Sequence, residues 1–88
     1  MKYFRIVNEI FRFYGYTDYS VTSLPNGNVE VVASLSNKYN IEQFFLDHAI
    51  IINKTVDYAN KSFKIEATLR APLATLAYLQ ALKAGRVA

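Results

Sequence analysis

Apolar side chains recur at helical spacing near the start of the chain. Tyr3, Ile6, Val7, Ile10, Phe13 and Tyr14 share one arc, and Arg5, Asn8, Glu9 and Arg12 share the opposite one. The spacing predicts an amphipathic helix from Lys2 to Tyr14, stopped by Gly15, which takes the left-handed conformation of a helix end without a Cβ penalty. From Tyr16 to Leu35 the period becomes two, and Pro25-Asn26-Gly27 separates two such runs, the signature of a β-hairpin. With that triplet as its loop, Ser23 faces Val29, Val21 faces Val31 and Tyr19 faces Ala33, which gathers the apolar residues on one face. Tyr16, Asp18, Ser20, Thr22, Glu30, Val32 and Ser34 then form a solvated face.

Asn40 and Gln43 have the spacing of a capping box ahead of Ile41, Phe44, Phe45 and His48, which predicts a second, shorter helix. Ile50-Ile51-Ile52 fits its continuation on period alone, but three consecutive β-branched residues favour a strand, from Ile50 to Tyr58. Ser62 to Leu69 alternates, with Phe63, Ile65, Ala67 and Leu69 on one side. A tight turn at Asn60-Lys61 pairs Tyr58 with Phe63, Val56 with Ile65, and Asp57 with Lys64 on the outer face. Pro72 opens a third helix, Leu73 to Ala84, followed by Gly85 and a frayed tail at residues 86–88. These elements predict an α+β fold of one domain over residues 1–88. It is a four-stranded antiparallel sheet of two hairpins with three helices on one face, in the order αββαββα. A shift of about 34 positions superposes Phe11 on Phe45, Asn26 on Asn60, Val31 on Ile65, Ala33 on Ala67 and Leu35 on Leu69, a faint internal repeat.

The third helix is apolar on nearly every side. Ala74, Ala77, Ala81 and Ala84 share an arc with Leu73, Tyr78 and Leu82, whereas Leu76 and Leu79 fall among Thr75, Gln80 and Lys83. Packing the alanines on the core leaves Leu76, Leu79 and Lys83 as a protein interface, expected to join two copies of the chain.

Composition narrows the chemistry. The 88 residues are 52% hydrophobic, enough to fold, and include no Cys and one His, so disulfides, thiolate catalysis and Cys/His zinc sites are excluded. The three isolated glycines rule out a phosphate-binding loop, and no cofactor or metal is expected. Asn8, Glu9 and Arg12 interrupt the apolar residues of the first segment, so it is not expected to act as a secretion signal, and no apolar run approaches the roughly 20 residues of a membrane span; a cytoplasmic protein is expected. His48, beside Asp47, is the only side chain that titrates near neutrality unperturbed; on the arc of Ile41, Phe44 and Phe45 it reads as a structural residue at the core edge. The carboxylates are scattered, and catalysis is not expected.

A net charge of +3 is spread along the chain. Lys2, Arg5 and Arg12 make a basic stripe on the first helix suited to DNA or RNA phosphates, but Glu9 is spaced to pair with Arg5 and Arg12 and so to weaken it. The expectation is therefore a small protein-binding regulatory or accessory module, of inhibitor or adaptor type, that occupies a partner's surface as a homodimer. Small size alone suggests an accessory protein of a phage or mobile element. The alternative is a small nucleic-acid-binding protein using Lys2, Arg5 and Arg12.

Overall fold

The computed structural model describes residues 2–85; the expected tail at residues 86–88 lies outside them. In chain order the elements are α1 (Tyr3–Phe13), β1 (Tyr19–Ser23), β2 (Val29–Ser34), a 3-10 turn (Leu35–Asn37), α2 (Lys38–His48), β3 (Ala49–Asp57), β4 (Ser62–Leu69) and α3 (Pro72–Lys83). The four strands form one antiparallel sheet in the order β1-β2-β4-β3, giving the expected αββαββα architecture. The inward residues Val29, Val31, Ala33, Phe63, Ile65, Ala67 and Leu69 meet Ile6, Val7, Ile10, Phe11, Ile41, Phe44, Phe45, Leu79 and Leu82 of the helices in one core.

The core side of α1 is centred nearer Val7 and Ile10 than the apolar spacing implies. Phe11 is completely buried and Phe13 is 53% exposed. The end of α1 explains the shift. Gly15, at φ 85°, closes a Schellman motif in which the Gly15 N–H donates to the Arg12 carbonyl (3.0 Å) and the Tyr16 N–H to the Phe11 carbonyl (3.2 Å). The motif carries its usual apolar contact, with the Tyr16 and Phe11 rings 5.6 Å apart. Tyr16 is therefore drawn against the helices and does not join the outer sheet face, a correction to the sequence-based expectation.

The first hairpin has the expected register, from Tyr19 opposite Ala33 to Ser23 opposite Val29. In the second, Val56 faces Phe63, Thr55 faces Lys64 and Asp57 faces Ser62, so the expected Asp57–Lys64 pair does not form. The loop spans residues 58–61 with Lys61 at φ 52°. Asp57 accepts the Asn60 backbone N–H at 3.2 Å and its side-chain amide at 2.6 Å. Two- and four-residue loops have the same parity, so the inward face of β4 is unchanged. A bulge between Ile51 and Asn53 then shifts β3 so that Ala49 faces Leu69 and Ile50 points outward.

Asn40 lies inside α2, two residues past its start, so the expected capping box is not made. The chain enters α2 through the 3-10 turn, where the Ser34 hydroxyl accepts the Ser36 N–H at 3.4 Å. On α3 the buried side is rotated from expectation: Leu82 is in the core as expected, but Thr75 and Leu79 of the expected outer arc join it in place of the alanines. Thr75, Leu79 and Leu82 are buried, Leu76 is half-buried, and Ala74, Ala77 and Ala84 are exposed with Leu73.

The sheet also reveals a symmetry. Val31 and Ile65, related by the shift of about 34 positions, face each other on the central β2–β4 ladder. The Val29–Ala67 pair maps under the same shift onto the Phe63–Ala33 pair. The two αββ units are thus related by an approximate two-fold axis through Val31 and Ile65, the arrangement expected of a duplicated unit, and α3 has no counterpart.

Candidate functional site

Where α1 ends, three elements converge on one pocket. The Schellman turn sets Tyr14 and Tyr16 on either side of Gly15. From α2 come Asn40, Gln43, Phe44, Asp47 and His48, at the i, i+3, i+4, i+7, i+8 spacing of a single helix face. Tyr78 of α3 completes a pocket of about 270 Å³.

Its aromatic walls are in contact. The His48 ring lies 4.7 Å from Phe44 and 4.9 Å from Tyr78. Tyr14 stands 5.6 Å from Tyr16, steeply inclined to it. The Tyr14 and Tyr78 hydroxyls share a hydrogen bond of 2.5 Å.

The lining is almost uncharged near neutral pH. Burial, reinforced by the hydrogen bond to Tyr78 and by nearby Asp47, pushes the Tyr14 phenol well above its ordinary range. Burial also raises Tyr16, against a hydrogen bond from Asn40 that lowers it. His48 is held below the usual imidazole range by burial, with Arg70 adding to the effect and Asp47 opposing it. The remaining charge is the exposed carboxylate of Asp47. Among the described residues it has no ion-pair partner. The nearby Arg70 guanidinium is engaged elsewhere, donating from Nη2 to the Leu46 and Asp47 carbonyls at 3.1 and 2.9 Å and so capping the end of α2.

A nucleophilic phenol needs a depressed pKa, and Tyr14 and Tyr16 are moved the other way. His48 has ring neighbours on two sides and no hydroxyl or thiol nucleophile activated beside it.

The residues expected as a protein interface are not brought together as one. Leu79 is 1% exposed and belongs to the core, so it is not available to a second copy. Lys83 reaches back to α1, its Nζ 2.8 Å from Glu9 Oε2. That contact also corrects the expected pairing of Glu9 with Arg5 and Arg12. Both arginines are exposed on α1, as is Lys2 just before it, and Arg5 lies 5.9 Å over the Phe4 ring.

The sequence reading missed Tyr14, Tyr16, Asn40, Gln43, Asp47 and Tyr78 as a site. Its one local trace was the polar stripe Asn40, Gln43, Asp47 on a helix face flanked by aromatics.

Elsewhere, a shallow groove of about 420 Å³ lies between the start of α1 and the first hairpin loop, with Lys2 its only charged lining residue among those described. The uncovered sheet face sets Glu30 directly opposite Glu66 on its central strands, which disfavours a phosphate backbone there.

No family model, curated protein or solved structure matches this chain. Among the described residues no three His, Cys, Asp or Glu side chains are placed to hold a metal ion, and no helix is long and apolar enough to cross a membrane.

Proposed function

We propose that the chain is a protein-binding module of regulatory or accessory type that grips its partner through the tyrosine-lined pocket at the end of α1. The observation that carries this reading is the convergence of Tyr14, Tyr16 and Tyr78 with the amides of Asn40 and Gln43 around one concave site. Tyrosine supplies large contact area at low entropic cost, with a hydroxyl that keeps its hydrogen bonding, which is why it is enriched at binding hot spots. The test is a nuclease-treated pull-down from native lysate with the parent and with a Tyr14→Ala, Gln43→Ala variant whose circular dichroism matches the parent. A protein held by the parent and lost by the variant supports the reading. Equal retention by both overturns it.

A second reading is binding of DNA or RNA by Lys2, Arg5 and Arg12. It is favoured by the engagement of Glu9 with Lys83, which leaves the α1 arginines free of ion pairs among the described residues. A nucleic-acid ligand requires affinity that falls steeply with salt and weakens uniformly across sequences in Arg5→Ala, Arg12→Ala.

A further inference from the structure

We infer that the pocket beside His48 receives the guanidinium of an arginine side chain presented by the partner. The inference rests on the protein-binding reading of the same pocket and names the chemistry of its occupant.

Three features point to a planar cation. The walls are ring faces and edges, with Tyr14, Tyr16, Phe44, His48 and Tyr78 all lining the site. A guanidinium stacks on such surfaces and is attracted by the aromatic quadrupole. The charged residue in the lining is the carboxylate of Asp47, which makes no ion pair among the described residues. The remaining polar groups offer acceptors: the side-chain carbonyls of Asn40 and Gln43 and the phenol oxygens. Five N–H donors need acceptors on several sides, which this lining supplies; a quaternary ammonium would leave them unused.

No Lys or Arg side chain lines the pocket among the described residues. Arg70, the nearest charge of that sign, spends its Nη2 donor on two backbone carbonyls of α2. The groups facing His48 from its neighbours are Asp47, Arg70 and Tyr78; burial disfavours the imidazolium, and the positive charge felt by the ring is that of Arg70, which does not line the pocket.

The test is titration of the isotope-labelled protein with N-acetyl-arginine methylamide, followed by NMR at Tyr14, Tyr78 and His48. Parallel titrations use the citrulline analogue, which keeps the shape and loses the charge, and the lysine analogue. Expected is saturable binding in the millimolar range, with arginine preferred over both analogues. Asp47→Asn should weaken it by about tenfold or more, the worth of a charge-assisted hydrogen bond. Citrulline or lysine binding as well as arginine, no shift at the pocket, or no effect of Asp47→Asn would each overturn the inference. The pull-down separates this failure from that of the protein-binding reading. A partner lost by Tyr14→Ala, Gln43→Ala but held fully by Asp47→Asn removes the arginine and leaves the pocket as the grip. A partner held by both variants removes the grip as well.

Discussion

Leu79 and Thr75 lie one turn apart on the buried side of α3, each 1% exposed. Leu79→Ala removes buried methyl groups and leaves a cavity, and should lower stability by about 2–5 kcal/mol in urea denaturation. Ala77→Glu, on the exposed arc, should change it by less than about 0.5 kcal/mol. The opposite ranking would restore the arcs expected from sequence. Thr75 donates its hydroxyl to the Ala71 carbonyl at 3.1 Å, but the same carbonyl receives the Thr75 N–H at 3.0 Å. Thr75→Val therefore keeps the volume, leaves that acceptor partnered, and should cost no more than about 1 kcal/mol. His48 adds a pH dependence. Its imidazole titrates lower in the folded chain than in the unfolded one, so between those two values the unfolded state binds more protons. His48 thus contributes stability that is fully present above the unfolded value of about 6.5 and lost as pH falls toward the folded one. His48→Gln should flatten that part of the stability–pH curve, and an unchanged slope would show that the ring is not desolvated.

At the scale of elements, the ends of α1 and β3 each carry a device that the hydrophobic pattern does not show. Gly15 holds a positive φ with open space around the position of a Cβ. Gly15→Ala meets no clash, so its cost is the backbone strain alone, about 1–2 kcal/mol in thermal or urea unfolding. Strand β3 is an edge with three consecutive isoleucines, a template for pairing with another chain. Two features blunt it. The bulge between Ile51 and Asn53 twists the edge, and Lys54, directly opposite buried Ile65, puts a charge on the helix-covered face. Its side chain stays 54% exposed by reaching Glu42 of α2 at 3.3 Å, where Lys38 also binds. Lys54→Val should leave the fold intact and raise self-association in sedimentation velocity; a variant that stays as monodisperse as the parent would show the bulge to be sufficient.

For the molecule as a whole, the approximate two-fold builds the sheet and α3 breaks it. The first two helices contribute equivalent buried positions, Phe11 and Phe45, whose rings meet at 6.0 Å. The third packs on α1 and supplies Tyr78 to the pocket, so the pocket sits where the repeat is broken. The excess positive charge is modest and has no single focus: Lys83 is tied to Glu9, Lys38 and Lys54 to Glu42. A mobility-shift assay at physiological salt should therefore show little binding to DNA or RNA, and tight binding that survives there would move the α1 stripe ahead of the pocket.

Periodicity and turn chemistry are local, and what depends on them was readable along the chain. The helix ended by Gly15, the register set by Pro25-Asn26-Gly27 and the alternation of β4 each follow from a handful of neighbouring residues. The second hairpin shows where this stops. Two loop lengths of equal parity satisfy the same alternation, and the choice was made by Asp57 bonding Asn60 and by a positive φ at Lys61. The third helix had apolar residues on both arcs, so no moment told them apart; the space left by α1 and the sheet admitted Leu79 beside Leu82 and left Ala74, Ala77 and Ala84 outside. The pocket is the extreme case. Tyr14, Asp47 and Tyr78 are far apart in sequence and individually ordinary, and they acquire a joint chemistry only because the helices that carry them end or cross at one place.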